Sequence, residues 1–325
     1  MQRFIINDNE AGQRLDKYLK KLLKEAPAGF FYKMMRKKNI VLNGKKTEGS
    51  ALLRQGDEVK LFLSDETIAS FRGAAPQGRE LEQKYPVTRL DILYEDRDLL
   101  VMNKPAGMLS QKARPEDVSA NEYIIGYLLS SGQLTEEQLR TFVPSVCNRL
   151  DRNTSGLLIA GKSLAGLQRM GEQLRRRDMD KYYQCLVMGK LEGFGEWKGW
   201  LKKDPKANRV EILEQQVQGS SRIHTGYRTL QQFRSREGRA YTLAELHLIT
   251  GRSHQLRAHL AAMGHPILGD SKYGGGQRQD PLARQLRLPG QLLHACRLEW
   301  PDGTILRAPL PEVFQRAVGE LCLME

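Results

Sequence analysis

Hydrophobic positions recur along this chain with two different periods, and the change between them divides it. Leu15, Tyr18, Leu19, Leu22 and Leu23 fall at i, i+3, i+4, i+7 and i+8, the apolar stripe of an amphipathic helix, while Lys17, Lys20, Lys21 and Lys24 occupy its other side. A second short helix follows, with Phe30, Phe31, Met34 and Met35 on its apolar side and Lys33, Arg36 and Lys37 on the other. The run IVLNGKK signals a hairpin, because Asn43 and Gly44 supply the positive φ angles of a tight turn and lead into Lys45 and Lys46. Val59, Leu61 and Leu63 alternate as a half-buried strand. Together these predict a small α/β domain over residues 1–63.

Over residues 64–89 the periodicity fades, and SFRGAAPQGRELEQKYP reads as a linker that should let the first module swing. Residues 90–325 form the second domain. It opens with two strands, ILYED and LLVMNKPAG, joined at Arg97-Asp98, with a turn at Lys104 to Gly107. Asn121 to Leu129 reads as a helix, and Leu164, Leu167, Met170 and Leu174 are spaced for another behind a Ser163 N-cap. Mostly β segments follow, with a helix near Ser253 to Met263. The fold class is α+β, with a large mixed, mainly antiparallel sheet in the second domain.

Charge narrows the choice of partner. Lys and Arg number 51 against 38 Asp and Glu, giving +13 and a pI near 9.6. Such a surplus favours polyanions without specifying a fold. Residues 1–63 hold 14 basic and 7 acidic side chains, more than half the surplus in a fifth of the length, which argues for a nucleic-acid-binding module over a merely solvated face. No apolar run approaches the roughly 20 residues of a membrane-spanning helix, and MQRFIINDNE carries no signal-peptide pattern, so a cytoplasmic protein is expected. Cys147, Cys185, Cys296 and Cys322 lack metal-ligand spacing and read as buried thiols.

Candidate chemistry concentrates in NRLDRNTSG, Asn148 to Gly156, where Asp151 sits between Arg149 and Arg152 just before the aliphatic strand Leu157 to Ala160. Nearby positive charge and hydrogen-bond donors favour an ionised carboxylate. An isolated Asp of this kind usually caps a turn. Three further segments alter that reading: KYYQCLV from Lys181, TGRSHQLRAHL from Thr250 and GHPILGDSKYG from Gly264. His254 and His259, spaced i, i+5, lie on different helical faces and make a poor metal pair. Gly156 to Ser163 matches the P-loop pattern GxxxxGK[ST], but its middle residues are themselves an aliphatic strand, so an NTPase reading is remote. Gly274-Gly275-Gly276 reads as a flexible loop.

In this order the motifs resemble the RluA-type family of RNA pseudouridine synthases, from Leu90 to the C-terminus. Asn148 departs from the family pattern by standing where His is usual. The resemblance implies that Asp151 is the catalytic carboxylate, that Tyr183 stacks on the uracil and offers its hydroxyl for proton transfer, and that Arg257 pairs with Asp151. Arg252, His254 and Gln255 would contact phosphates or fix the helix, Leu293 would pack under the base, and Arg152 would bind substrate beside Asp151. Arg149 would either fill the stack vacated by a flipped nucleotide or bind phosphate. Tyr182, pointing to the other face of the strand, is the expected packing residue.

The first module resembles the S-four-type (alpha-L) RNA-binding domain, implying RNA contacts from Lys17, Lys20, Lys21, Lys33, Arg36, Lys37, Lys45 and Lys46. Large-subunit ribosomal RNA is the implied substrate, transfer RNA remaining open. No cofactor, metal or protein partner is implied. The rival reading is a non-catalytic RNA-binding or ribosome-assembly factor on the same scaffold.

Overall fold

The structure, a computed structural model, describes residues 1–73, 78–204, 207–274 and 280–323; Gly275 and Gly276 of the glycine run lie outside them. Chain order begins β1 (Gln2–Ile5), α1 (Leu15–Leu22), α2 (Ala28–Arg36), β2 (Ile40–Leu42), β3 (Lys45–Lys46) and β4 (Glu58–Leu61). These four strands form an antiparallel sheet in the order β1-β4-β2-β3, and Asn43 (φ 51°) with Gly44 (φ 72°) turns β2 into β3. The helix stripe is buried as its spacing requires: Leu15, Tyr18, Leu19 and Leu22 pack with Phe31, Met35, Ile40, Val59 and Leu61.

The segment expected to be a linker contains regular structure. It contains α3 (Asp65–Arg72), capped by the Ser64 hydroxyl on the Thr67 amide, and α4 (Arg79–Lys84). Ile68 is buried in the first module's core, and Phe71 meets Phe30 edge-on at 4.9 Å. Too few apolar positions fall inside α3 to announce it as a periodic stripe.

The second region runs through β5 (Ile92–Glu95), β6 (Leu99–Lys104), α5 (Ala120–Ser130), α6 (Glu136–Thr141), β7 (Ser145–Val146), β8 (Ser155–Gly161) and α7 (Leu164–Arg176). It continues with β9 (Asp180–Met188), β10 (Phe194–Asp204), β11 (Arg209–Leu213), β12 (Ser221–Arg234), β13 (Ala240–Leu248) and α8 (Gln255–Ala262). It ends with α9 (Pro281–Gln285), β14 (Leu293–Glu299), β15 (Ile305–Arg307) and α10 (Glu312–Cys322). One mixed sheet runs β11-β10-β12-β13-β9-β14-β8-β6-β5, with β15 beside β14 and β7 beside β8; every pairing is antiparallel except β14 with β8.

β8 is buried at every position because both its faces are covered. Leu158 and Ala160 face a core shared with Ile124, Leu128, Tyr183, Leu256 and Leu260, while Leu157 and Ile159 meet Met170 of α7 on the opposite side. This disposes of the P-loop reading: Gly156 to Gly161 is sheet ladder. The Lys162 ammonium is bound by Glu95 Oε1 and the Asp96 carbonyl, each at 2.7 Å, and Ser163 caps α7.

Side chains of the first module and of α6 and the β5–β6 turn are in contact. Glu10 Oε1 accepts a buried hydrogen bond from the Thr141 hydroxyl at 2.6 Å, Arg72 pairs with Glu137 at 3.1 Å, and Arg97 pairs with Asp8. Of the four thiols, Cys185 and Cys296 are buried as expected, Cys147 is half-buried and Cys322 is exposed.

Candidate active site

The loop between β7 and β8 carries Asp151, and its own side chains fasten it to the sheet. Asn148 Oδ1 accepts from the Ile159 amide at 2.8 Å, and Asn148 Nδ2 donates to the Leu157 carbonyl at 3.3 Å. Both ends of the amide therefore serve the β8 backbone, a role that needs no titrating group. The Ser110 hydroxyl bridges the Leu150 amide and carbonyl at 3.0 and 2.9 Å. Beneath the loop lies Lys104, fully buried, whose ammonium donates to the carbonyls of Pro105 and Met108 at 2.9 Å and of Arg152 at 3.1 Å. Burial pulls the Lys104 pKa down to about 7, against the attraction of Asp151.

Arg257, on α8, joins two carboxylates. Its Nη1 donates to Asp151 Oδ2 at 2.9 Å, while Nε and Nη2 donate to Asp270 Oδ2 and Oδ1 at 2.7 and 2.9 Å. The bidentate grip thus falls on Asp270, because that carboxylate meets the side of the fork presenting two parallel N–H groups. The Asp270 side chain has no exposure, Arg257 has 9% and Asp151 has 25%, so the pair is anchored from within and opens at Asp151. Burial would raise Asp270, but Arg257 and the amides of Tyr273 and Lys272 outweigh it and hold the carboxyl below its usual range. Burial also works against the charged form of Arg257, yet Asp270 and Asp151 together hold its pKa above the ordinary value. The Tyr273 ring lies 5.3 Å from the guanidinium carbon, adding a cation–π contact.

His254, at φ 56° just before α8, places Nε2 3.9 Å from Asp151 Oδ1. Its Nδ1 meets the Tyr273 hydroxyl at 2.9 Å, and that hydroxyl already accepts from the Val210 amide at 3.0 Å. With one lone pair so engaged, the hydroxyl is placed to donate its proton to Nδ1, an arrangement that carries the ring hydrogen on Nε2, toward Asp151. Burial lowers the His254 pKa, with Asp151 opposing, and favours this neutral form. Asp151 Oδ1 accepts no hydrogen bond from the described residues.

Tyr183, on β9 between Ala295 and Leu246 in register, is 6% exposed. Burial raises its hydroxyl pKa and the charge of Asp151 raises it further, which puts the phenol within electrostatic reach of the carboxylate. Tyr182 points to the other face, stacked on His247 at 4.7 Å and covered by the Arg297 guanidinium at 3.9 Å. Leu293 is buried in the same core as Tyr183.

Of the two roles expected of Gln255, contacting phosphate or fixing the helix, its contacts match the second. It is 2% exposed and its amide is consumed by Thr250 Oγ1, the Arg252 amide, the His224 carbonyl and Thr225 Oγ1, at 2.9 to 3.1 Å. It shapes the turn into α8. His259, also buried, meets Thr225 Oγ1 at 3.0 Å.

Arg149, Arg152 and Arg252 are exposed around this cluster, and Arg149 Nη2 lies 3.5 Å from Ser253 Oγ. Lys17, Lys20, Lys21, Lys33, Arg36, Lys37, Lys45 and Lys46 are all exposed on the first module, and Lys21 donates to Gln13 at 3.0 Å.

Sequence reasoning missed Asp270, Tyr273 and Lys104 as members of this cluster. Asp270 and Tyr273 lie inside GHPILGDSKYG, and Lys104 was assigned only to its turn. A buried lysine with no adjacent acid in sequence is a signal legible only afterwards. Chemically, the arrangement offers one carboxylate oxygen clamped by a guanidinium and one that accepts no hydrogen bond among the described residues, a buried phenol that feels its charge, and exposed arginines nearby.

Residues 98–262 match the RNA pseudouridylate synthase family. The chain is 31% identical to the ribosomal large subunit pseudouridine synthase C of Escherichia coli (strain K12), over 97% of this chain and 95% of that protein. It is 32% identical to the protein of the same name from Pasteurella multocida (strain Pm70), over 97% and 92%. A solved structure, human RNA pseudouridylate synthase domain containing 4, is similar in fold, with a TM-score of 0.57 at 22% identity, covering 71% of this chain and 92% of that one.

Proposed function

This chain belongs to the RNA pseudouridylate synthase family, and on that premise we propose that Asp151 is its catalytic carboxylate, with large-subunit ribosomal RNA as its substrate. The enzyme isomerises uridine to pseudouridine. The bond from uracil N1 to ribose C1′ breaks, the base turns, and C5 bonds to C1′; C5 loses a proton and N1 gains one, so no redox partner is consumed. Such a reaction needs a carboxylate beside the ribose, a surface that retains the detached base, and exclusion of water. Asp151 Oδ1 is the oxygen left free to engage the substrate, and Arg257 holds the other. Tyr183 supports the base and handles the proton, with Leu293 packing beneath.

A uridine within a helix reaches this carboxylate only after leaving its stack. Arg149 and Arg152, exposed on either side of Asp151, receive the strand at that point. The basic face of the first module supplies a second RNA contact, and the site of action is the cytoplasm. The observation that carries the reading is the Asp151–Arg257–Asp270 bridge, which assembles residues 119 positions apart around one open carboxylate oxygen. The choice of large-subunit RNA rests on the names of the relatives.

Pseudouridine mapping of ribosomal RNA, from cells lacking the protein and complemented with wild type or Asp151→Asn, tests both parts. The expected result is one or more large-subunit positions that wild type restores and Asp151→Asn does not. Restoration by Asp151→Asn would remove the catalytic assignment, and a change confined to transfer RNA would remove the substrate.

A further inference from the structure

A second cationic feature lies apart from the carboxylate bridge. Arg177, at the end of α7, Arg222, on β12, and Arg252, before α8, line one cleft with His224, Ile249 and Thr250, enclosing about 260 Å³. The three arginines come from distant parts of the chain, so local sequence composition does not explain their meeting. All three are exposed, and none of their guanidiniums has a hydrogen bond or ion pair among the described residues. No acid is among the residues that line the cleft, and Glu196, which meets the lining His224 at 2.7 Å, also has Lys198 at 3.6 Å. Three like charges converging without a counter-ion repel one another, a cost offset when an anion sits between them.

Arg177 occupies the left-handed region at φ 62°, the helix-ending position where glycine is the unstrained choice. A residue with a Cβ thus stands where the backbone disfavours one. Apart from His224, no ring in the lining could stack on a base, and the volume is below the range usual for a drug-sized ligand. Three planar guanidiniums in a small polar cleft match the oxygens of a phosphodiester.

The cleft is coupled to the reaction centre by one short segment. Thr250 and Arg252 line the cleft, and Gln255 fixes both, through Thr250 Oγ1 and the Arg252 amide. Two residues beyond Arg252, His254 faces Asp151, and Ser253 meets Arg149. From this we infer that the Arg177, Arg222 and Arg252 cleft is a seat for a backbone phosphate of the RNA strand that flanks the nucleotide bound at Asp151. The inference deepens the proposed function and rests on it for the position of that nucleotide. It does not rest on catalysis, because the cleft binds phosphate whether or not Asp151 reacts.

The test uses the full-length Asp151→Asn protein, to hold RNA unreacted, and a short structured RNA containing a uridine target. Affinity is measured against salt with and without Arg177→Gln and Arg222→Gln together. The double variant is expected to bind about tenfold more weakly and to lower the slope of log affinity against log salt by about 1, one phosphate contact's worth. Arg222→Lys, which keeps the charge, should retain the slope, and unchanged thermal melting excludes unfolding as the cause.

Neutral methylphosphonate replacements, placed singly along the RNA, identify the source of the ligand. One position near the target should weaken wild-type binding and leave the double variant insensitive. Competition by inorganic phosphate without any such position would mean a free-anion site and would overturn the assignment to RNA, as would preferential binding of an acidic peptide. Equal affinity and slope in the two proteins would overturn the inference altogether. Failure to make pseudouridine, with the methylphosphonate position intact, would instead strike the functional reading and leave the cleft assigned.

Discussion

Arg257 grips Asp270 with two hydrogen bonds, 2.7 and 2.9 Å long, and the buried carboxylate so held fixes the guanidinium that reaches Asp151 at 2.9 Å. Orientation therefore flows from the interior outward. Asp270→Asn keeps the shape but removes the charge that balances a nearly buried arginine, and breaking such a pair from one side costs about 3–5 kcal/mol. Urea unfolding should show a loss in that range, and the pseudouridylation rate at saturating RNA should fall with it. An unaltered rate would mean that Arg257 is positioned without Asp270.

Asp151→Asn removes the carboxylate at the open end of the bridge, where no packing is lost. RNA affinity should stay within about threefold of wild type, with the same salt dependence, while single-turnover conversion drops below detection. Gel-shift titration and pseudouridine mapping on the same samples separate binding from chemistry.

Tyr183→Phe retains the ring in its core position and deletes only the hydroxyl. Loss of a group acting in proton transfer lowers the single-turnover rate about 100-fold or more, with little change in RNA affinity. Equal losses in rate and affinity would reassign Tyr183 to base binding alone.

Gly156 sits at φ 108°, and a Cβ there would come within 2.2 Å of the Ala295 carbonyl oxygen across the parallel β14·β8 pair. The oxygen belongs to the backbone and a Cβ is fixed by it, so no side-chain rotation relieves the contact. Gly156→Ala should destabilise by about 3 kcal/mol or more and disturb the Asp151 loop that enters β8. Thermal melting measures the first effect and RNA conversion at low temperature the second.

His259 and His294 are buried, and burial lowers both pKa values to about 4 from 6.5. Between pH 6.5 and 4 the unfolded chain binds protons at these sites and the folded chain does not, so stability falls as pH drops through that window. A shift of this size corresponds to about 3 kcal/mol per histidine once pH is below 4, and none of the loss is present above 6.5. Urea midpoints recorded across this range should show the decline, and His294→Asn, which cannot titrate there, should flatten part of it.

Local pattern carried far in some places and stopped short in others. The stripe on α1, the Asn43–Gly44 turn and the Ser163 cap were legible because each depends on neighbours within four residues. α3 was not, because a single residue, Ile68, is buried on it and its core belongs to the first module. Docking of the two regions through Glu10 and Thr141 was equally hidden, since the partners are 131 positions apart and neither stands in a motif. Motif recognition paired Arg257 with Asp151, a contact present at 2.9 Å, but did not foresee the two bonds to Asp270. It left Gln255 between contacting phosphate and fixing the helix, and the bonds to Thr250 and the Arg252 amide match the second.

What the amino-acid order determined by itself was the periodic elements, the excess of positive charge and the family to which the chemistry belongs. Those follow from short-range periodicity, counting and ordered motifs. Which carboxylate Arg257 holds with two bonds, which oxygen of Asp151 stays open, and which arginines meet in a cleft were decided only in three dimensions. Hydrogen bonds are directional and charges act through space, so their partners are set by how the sheet and α8 bring distant residues within about 3 Å, a distance that sequence separation does not encode.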